Sequence, residues 1–439
     1  MANGYIEWAR QATDPREARR KPEALDDLVV LDASYRHIGG LVCSSMLSEF
    51  GAEVIRIEPP GGDPARNFSP YGIKHKDTGL GYLVEARNKL HVTLNLHVTE
   101  GREIFKQLAR KADVVIETFP AGVMDAWGIG YRQLSRETPG LIYCAIYTYG
   151  QFGPKAACGK PDYDVVNQAI SGIAWSTGEM VEDENNPQPW EVPTKIGSWF
   201  GWYIGGLWGA FGILTALRYR GQTGRGQLVD VSGAEGIMRF MDCYLTFYNM
   251  TGIDKERIGN LDANINPYTI VPVKDGYAMI AGFTDPNFYG LTECLQKQEW
   301  RNDPRFDAAI KRAKLASSKA LKPLLEEETK KYTSDELLEI LMDYVRNKRG
   351  PGTPVTAKVA TPAEVMRQEN WWLRGILEEV EDLNYGRLTL QAPVWKMSET
   401  PGRIKWVCRS VGQDNEYVYR KYLGYGPRKV RELKEKGII

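Results

Sequence analysis

Apolar and polar positions alternate between two periods over the first 150 residues of the chain. Short apolar runs predict buried strands, and the segments between them carry apolar residues at helical spacing. The predicted strands are 28–34, 52–58, 90–96, 112–119 and 141–150, with a further strand at 228–232. Strands that alternate with helices favour a parallel sheet covered on both faces. We therefore predict a large, doubly wound α/β domain.

One segment is apolar enough to raise the question of a membrane span. Residues 197–217 include no charged side chain over 21 positions, which is long enough to cross a bilayer. Glycines recur there every four residues, at Gly197, Gly201, Gly205 and Gly209, and this spacing lets a helix pack closely against a neighbour. The rest of the chain does not resemble a membrane protein, so we predict a buried core helix.

The second half of the chain has a more mixed pattern. Residues 266–282 predict a hairpin with its turn at Asp275-Gly276, residues 285–347 predict helices, and 348–362 is rich in Pro and Gly. We therefore expect a discontinuous large domain with a smaller α+β domain inserted. The predicted division is an N-terminal arm at 1–27, the first part of the large domain at 28–235, the small domain at 236–350, and a linker and return to the large domain at 351–439.

Composition removes several classes of function. Lys plus Arg and Asp plus Glu number 56 each in 439 residues, and the pI is near 6.9, so no basic field points to nucleic acid or an anionic membrane. The six cysteines stand at no metal-binding or redox spacing, which predicts reduced thiols in the cytoplasm. Only four histidines occur and none follows His97. We expect no metal site, and we expect carboxylates to supply any acid–base chemistry.

The strongest candidate for chemistry is the segment GKPDYDVVNQAISGIAWSTG, residues 159–178. It places Asp162 and Asp164 next to the start of an apolar helix, inside a loop bounded by Gly and Pro. An aspartate at a helix N-terminus is stabilised as the anion by free N–H groups. The residues alone leave two interpretations open for Asp164, a helix cap or a reactive carboxylate.

The chain resembles the family III CoA-transferases, the group that contains formyl-CoA and carnitine CoA-transferases. The resemblance runs from about Leu28 to the C-terminus and depends on motifs that stand in family order. They include VLDASYRHIGG (30–40), RNKLHVTLNL (87–96), YDVVNQAISG (163–172), TGRGQLVDVS (223–232) and DGYAMIAG (275–282). It implies a Rossmann-like large domain and an interlocked dimer. It also implies a soluble enzyme that takes a CoA thioester as substrate and holds no tightly bound cofactor.

By the same resemblance, the aspartate of the YD pair is the nucleophile, and here it is Asp164. A carboxylate suits this task because it can form an anhydride with the donor acid and then a thioester with CoA. The tetrahedral steps need oxyanion donors, for which Gly150 and Gln151 are the candidates, together with Gly39 and Gly40; each glycine could equally serve a tight turn. His37 stands where some relatives carry a glutamine near the substrate, so it either bonds an intermediate or simply ends the first strand.

Residues that bind the phosphates and adenine of CoA are expected near the early βα loops. The match indicates Arg66, Lys89 and Arg87, each of which could instead be a solvated surface charge. The chain departs from the family at Ala126, where many relatives have an arginine that touches CoA. Trp127 follows it and is the remaining candidate for CoA contact. A second departure lies at Gly201-Trp202, where relatives often carry an aspartate.

The resemblance leaves the acids open. An acyl-CoA such as succinyl-CoA is the expected donor. If some of Trp127, Trp175, Trp199 and Trp202 line the acyl pocket, an aromatic acceptor acid is favoured over one of formyl size. The chain is also similar to benzylsuccinate CoA-transferase subunits, which implies a role in the degradation of aromatic acids and either a homodimer or a heteromer with a related subunit.

Two other functions are weighed against transfer. An α-methylacyl-CoA racemase-like isomerase needs a histidine base before the GQ loop, and Tyr143 occupies that position here. A non-catalytic subunit of a heteromeric transferase has no need of the nucleophile, and Asp164 is retained. CoA transfer through Asp164 is therefore the leading hypothesis.

Overall fold

The computed structural model describes residues 2–183, 185–186, 188–347, 350 and 352–439. Its contacts divide the chain into two compact units. Unit 1 contains residues 1–173, 195–246 and 368–439, and unit 2 contains residues 174–194 and 247–367. The chain therefore leaves unit 1 shortly after Asp164 and re-enters it at Lys195. The domain boundaries expected from the sequence, with a small domain at 236–350, stay a prediction.

Unit 1 is built on a six-stranded sheet. The strands up to residue 232 are β1 (Val29–Asp32), β2 (Glu53–Glu58), the two-residue β3 (Lys74–His75) and β4 (Thr78–Gly79), β5 (Lys89–Thr93), β6 (Val114–Glu117), β7 (Ile142–Tyr147) and β8 (Leu228–Ser232). The large sheet has the order β5-β2-β1-β6-β7-β8, and each neighbouring pair in it is parallel. The strand order reverses beside β1, and the carboxyl ends of strands at such a switch point form a crevice for ligands.

Both faces of this sheet are buried. Alternate residues of β1 and β6 enter different cores, with Leu31 and Val115 on one face and Val30 and Val114 on the other. A strand covered on both faces gives a continuous apolar run, and these runs predicted all six strands. The doubly wound α/β fold is therefore confirmed.

Helices cover the sheet and make up much of the rest of the chain. The α-helices are Ala2–Ala12, Ile38–Glu49, Leu80–Glu85, Thr99–Ala109, Val123–Ala126, Tyr131–Glu137, Asp164–Ser171, Ile173–Ser176, Phe200–Thr223, Gly233–Met238, Tyr244–Thr251, Asp285–Cys294, Ala309–Arg312, Leu315–Thr329, Ser334–Arg346, Pro362–Arg367, Glu369–Leu373, Asn415–Leu423 and Pro427–Glu435. Short 3-10 helices lie at Pro15–Arg20, Pro64–Asn67, Pro70–Gly72, Ala156–Cys158 and Gln298–Asn302.

The apolar segment forms the helix Phe200–Thr223, called the long helix below. Its length and composition would allow it to cross a membrane, and half of its most apolar stretch is buried within the protein. Glycine makes close packing possible, because a Cβ atom at Gly206 would lie 2.5 Å from the carbonyl oxygen of Gly39. A Cβ atom at Gly39 would in turn lie 2.6 Å from the carbonyl oxygen of Trp202. The long helix and Ile38–Glu49 therefore pack backbone against backbone.

A buried ionic network stands at the carboxyl ends of β1, β2 and β5. Arg56 pairs with Asp32 at 2.9 Å and also with Asp63, and all three side chains are buried. Asp63 accepts the backbone N–H of Arg36 at 3.1 Å. Charges buried in this way must be paired to be tolerated. The network fixes the loop after β1, which leads to His37.

Unit 2 contains a three-stranded antiparallel sheet, β11-β10-β9. Its strands are β9 (Tyr268–Val273), β10 (Gly276–Ala281) and β11 (Val355–Lys358). The hairpin is present, but Val273 pairs with Gly276, so the turn is Lys274-Asp275 instead of the predicted Asp275-Gly276. Residues 348–362, taken as a linker, include β11, which completes the sheet; Lys348, Arg349 and Pro351 lie outside the described residues. A further hairpin of β12 (Leu377–Asp382) and β13 (Gly386–Gln391) belongs to unit 1.

Candidate active site

The two aspartates of the YD segment face the same way. Tyr163 between them has extended backbone angles and caps the helix Asp164–Ser171 without a side-chain hydrogen bond. Side chains on either side of an extended residue point in the same direction, so Asp162 and Asp164 both face the first turn of the long helix, while Tyr163 is half exposed. Asp164 is the first helical residue and not the cap, so the capping interpretation is wrong.

The Asp164 carboxylate is bound by the start of a second helix. Its Oδ1 accepts the backbone N–H of Trp202 at 3.1 Å, and its Oδ2 accepts the side-chain amide of Gln168 at 2.7 Å. The first N–H groups of a helix have no partner within it, so they are free to hold an anion. Burial raises the pKa of Asp164, against the lowering effect of the bonds from Trp202, Gln168 and Gly201 and of the charge of Lys195.

Asp162 has a different environment, because donors surround both of its oxygens. Its Oδ2 lies 2.9 Å from Nε2 of His37 and accepts the backbone N–H of Thr148 at 3.1 Å. Its Oδ1 accepts the hydroxyl of Thr148 at 2.7 Å and the indole N–H of Trp202 at 3.1 Å. Burial, the largest effect, raises the pKa of Asp162, but the charge of His37 and these hydrogen bonds outweigh it and leave the pKa below its usual value.

His37 caps the helix Ile38–Glu49. Its Nδ1 accepts the backbone N–H of Gly40 at 3.2 Å and its ring packs on Trp202 at 4.9 Å between centroids. The imidazole is buried and both of its nitrogens are engaged. As it stands, His37 holds Asp162; direct contact with an intermediate stays a prediction.

A cavity of about 710 Å³ opens beside Asp164. Its walls are mainly aromatic and aliphatic, and they include Leu80, Tyr163, Lys195, Trp199, Trp202 and Tyr203. Lys195 is exposed and donates to the carbonyl of its neighbour Ile196 at 3.5 Å. The cavity therefore offers an apolar body, the Asp164 carboxylate and a cation at the rim, and it suits a small acid with an apolar portion.

The backbone N–H groups of Gly150 and Gln151 are already used. Gln151 donates to both carboxylate oxygens of Asp230 at 3.0 Å, and Gly150 donates to the carbonyl of Tyr147 at 3.2 Å. Neither N–H is directed at Asp164 in this arrangement. Their role as oxyanion donors stays a prediction that rests on the resemblance. Gly39 and Gly40 belong to the helix Ile38–Glu49, where Gly39 allows the close approach of the long helix.

The predicted CoA-binding cations have internal partners. Arg66 forms a two-pronged pair with Glu58 at 2.7 Å, and Lys89 donates to the carbonyl oxygens of Leu41 and Glu85 at 2.7 and 2.6 Å. Both are buried, so they are not the solvated surface charges considered from the sequence.

Arg87 is buried as well and bonds the carbonyl of Val84 at 2.6 Å. Side chains with such partners contribute to the fold. Binding of Arg66, Lys89 and Arg87 to CoA stays a prediction. Trp127 packs on His97 and Phe119 and borders a cavity of about 60 Å³ beneath Tyr35. None of the four lines the cavity beside Asp164.

Sequence reasoning missed Gln168, which holds Asp164, and Lys195, which stands at the cavity rim. It named Trp202 only as a possible wall of the acyl pocket, whereas the backbone N–H of Trp202 also holds Asp164. The departure from the family at Gly201-Trp202 was the available signal, because it marks the helix turn that holds Asp164. Within the described residues, no group of three or more His, Cys, Asp or Glu side chains could hold a metal ion.

Known proteins resemble this chain over most of its length. The family model described as CoA-transferase family III matches residues 25–415. A succinyl-CoA–D-citramalate CoA-transferase of Chloroflexus aurantiacus is 32% identical over 96% of this chain and 100% of its own length. The alpha subunit of a succinyl-CoA–L-malate CoA-transferase of Chloroflexus aurantiacus is 31% identical over 100% of this chain and 98% of its own.

A solved structure agrees with these sequences. The crystal structure of a CAIB/BAIF family protein from Brucella suis superimposes with a TM-score of 0.77 at 28% identity, covering 92% of this chain and 100% of that one. The family match spans both the parallel sheet and the segment that carries Asp164. The chain is therefore an enzyme that belongs to CoA-transferase family III.

Proposed function

We propose that the enzyme moves CoA from an acyl-CoA donor, such as succinyl-CoA, to a carboxylic acid through covalent intermediates on Asp164. The observation that carries the proposal is the Asp164 carboxylate, which borders a cavity of about 710 Å³ while the nearby Asp162 is enclosed by hydrogen-bond donors. A carboxylate that borders a cavity of ligand size can serve as the nucleophile that an exchange between acids requires.

The proposed reaction has four balanced steps. An Asp164 oxygen attacks the donor thioester carbon, the C–S bond breaks, and CoA thiolate leaves a mixed anhydride. The thiolate attacks Cγ of Asp164, the bridging C–O bond breaks, and the donor acid departs as its carboxylate. The acceptor carboxylate then attacks Cγ and expels the thiolate, which finally attacks the acceptor acyl carbon and frees Asp164. Each step exchanges groups of similar energy, so neither ATP nor a tightly bound cofactor is proposed.

The acceptor is proposed from the cavity walls. Tyr163, Trp199, Trp202 and Tyr203 give it aromatic surface, which supports an acid with an apolar or aromatic portion. Lys195 supplies a positive charge that suits a second carboxylate. Relatives of this chain are named for citramalate, malate and mesaconate, all acids with two carboxylates. A dicarboxylic acid with an apolar or aromatic portion satisfies both features.

We also propose the assembly and location that the resemblance implies. The chain is expected to form an interlocked dimer in the cytoplasm, as a homodimer or with a related subunit. Alpha and beta subunits among the relatives support a heteromer. Mass measurement of the purified chain alone, and after mixing with a related chain, distinguishes these assemblies. CoA transfer by the chain alone would exclude the non-catalytic subunit.

Trapping of the intermediate tests the function. The enzyme is incubated with succinyl-CoA alone, treated with hydroxylamine or borohydride, digested and analysed by mass spectrometry. A modified peptide that contains Asp164 is expected, and no label is expected in the Asp164→Asn variant. A label on Asp162, or none with any acyl-CoA in a broad panel, would contradict the proposal.

A further inference from the structure

The first turn of the long helix contains a backbone N–H that faces Asp164. The donors expected from the sequence, Gly150 and Gln151, are occupied by Tyr147 and Asp230. In contrast, the N–H of Trp202 already lies 3.1 Å from Oδ1 of Asp164, within the range of a good hydrogen bond. Oδ2 of the same carboxylate is held separately by the side-chain amide of Gln168 at 2.7 Å.

We infer that the backbone N–H of Trp202 is the oxyanion donor for the steps in which Cγ of Asp164 is attacked. This inference rests on the proposed function. Of the four steps, two place the tetrahedral carbon on the substrate and two place it on Asp164 itself. In these two, the electron pair of the Cγ=O bond moves onto an Asp164 oxygen. Oδ1, which faces the helix, receives that charge, and Oδ2, held by Gln168, is the oxygen that bonds the donor or acceptor acyl carbon.

The position of the donor is what makes this assignment specific. A helix N-terminus alone would indicate little, but here the reacting carboxylate itself occupies it. The next N–H along the helix, that of Tyr203, already donates to the carbonyl of Trp199 at 2.9 Å. Donation to Asp164 therefore falls to the last N–H groups that lack a partner within the helix.

Asp162 is the positioning residue for this donor. It accepts the indole N–H of Trp202 at 3.1 Å, while Trp202 packs between His37 and Phe68 at centroid distances of 4.9 and 5.7 Å. Contacts with Asp162, His37 and Phe68 thereby fix the side chain of Trp202. The backbone N–H of Trp202 is directed at Asp164. Preorganised donors of this kind act without moving during the reaction.

Replacement of single backbone amides by esters tests the inference directly. An ester at Trp202, introduced with the α-hydroxy analogue of tryptophan, removes the N–H and leaves every side chain. We expect kcat to fall by about 10²–10³-fold, the usual effect of removing one oxyanion donor, with little change in KM for succinyl-CoA. An ester at Tyr203 is the matched control, because it removes an ordinary helix hydrogen bond. Equal kcat values for the two esters would overturn the inference.

Rapid-quench analysis of the same variants identifies the step. The Trp202 ester should still form the Asp164 anhydride but should accumulate the aspartyl-CoA thioester far more slowly. Wild-type enzyme that shows no Asp164 adduct would refute the proposed function, whereas a normal adduct with normal kinetics in the Trp202 ester would refute this inference alone.

A side-chain variant provides a second measurement if the ester does not fold. Trp202→Phe keeps the backbone N–H but loses the bond to Asp162. We expect kcat to fall about tenfold with KM unchanged, as for the loss of one hydrogen bond that positions a catalytic group. A rise in KM with an unchanged kcat would show that Trp202 only lines the cavity, and would overturn the role of Asp162.

Discussion

Nε2 of His37 donates a hydrogen bond to Oδ2 of Asp162 at 2.9 Å. The direction follows from the other ring nitrogen, because Nδ1 accepts the N–H of Gly40 and leaves Nε2 to donate. The bond from His37 is one of several that hold Asp162 as the anion. With donors from His37, Thr148 and Trp202 around it, Asp162 has little freedom to attack a thioester, which supports Asp164 as the proposed nucleophile.

Asparagine variants of the two aspartates should behave differently. Asp164→Asn keeps an oxygen for the N–H of Trp202 but turns its amide towards the Gln168 donor and is not a nucleophile, so we expect loss of transfer with a loss of about 1 kcal/mol in stability. Asp162→Asn places an amide N–H among donors, so we expect a loss of about 1–3 kcal/mol in stability and residual activity. Urea unfolding and initial rates measure both. Near wild-type turnover in freshly prepared Asp164→Asn would contradict the mechanism.

Lys195→Gln should separate acids by their second carboxylate. Lys195 is the cation at the cavity rim, and loss of an exposed ionic contact typically weakens binding by up to about 1 kcal/mol. We expect KM to rise severalfold for dicarboxylic acceptors and to stay unchanged for monocarboxylic acids of similar size. Lys160→Gln, which changes a lysine that does not border this cavity, is the control. Equal effects on both kinds of acid would argue against a recognition role.

The same variant should shift the acid limb of the pH–rate profile. Asp164 must be ionised to attack, and burial raises its pKa while the charge of Lys195 lowers it. Activity should therefore fall, as pH is lowered, at a higher pH than for an exposed aspartate. Removal of the positive charge in Lys195→Gln should move this limb to still higher pH. The measurement is kcat/KM against pH, and a shift to lower pH would contradict the assignment.

Glu117 should make the protein less stable as the pH rises from about 4.5 to about 8. Burial raises the pKa of Glu117 from 4.5 to about 8, although its bond from Phe119 opposes the shift. Between these values the folded protein keeps a proton that the unfolded chain releases, so stability falls as pH rises, by at most about 1.4 kcal/mol per pH unit. Glu117→Gln should remove this contribution and melt at a higher temperature than wild type near pH 9. An equal loss of stability with rising pH in wild type and in Glu117→Gln would contradict this role of Glu117.

Two glycines of the long helix should respond oppositely to alanine. At Gly206 a Cβ atom would meet the Gly39 carbonyl at 2.5 Å, so Gly206→Ala should cost about 1–3 kcal/mol. At Gly221 nothing lies within 4 Å, so Gly221→Ala should gain up to about 1 kcal/mol from helix propensity. Chemical denaturation of both variants measures the difference, and equal stability would refute the packing argument.

The sequence predicted the sheet well because strands buried on both faces leave continuous apolar runs, as in β1 and β7. It misplaced the turn of the β9–β10 hairpin by one residue, since Asp-Gly is a strong turn signal and the register is set by cross-strand pairing. It missed β11, because a short strand next to Pro and Gly has no pattern of its own.

The candidate site was predicted in part. Asp164 was indicated by its motif, which is local in sequence. The partners that distinguish it from Asp162 come from residues 37, 148 and 202, and no local pattern records such distant contacts. Arg66, Lys89 and Arg87 illustrate the reverse case, because a positive charge in a sequence does not reveal that a carboxylate or carbonyl already binds it.

The contrast between the two neighbouring carboxylates has a consequence for inhibitor chemistry. Reagents that esterify carboxyl groups need an oxygen they can reach, and diazo compounds in particular react through the protonated acid. Asp162 is enclosed and held ionised, whereas Asp164 borders the cavity and retains its proton to a higher pH. A weakly reactive carboxyl reagent on a scaffold that fits the aromatic walls would therefore modify Asp164 in preference to Asp162, although the two residues are only two positions apart.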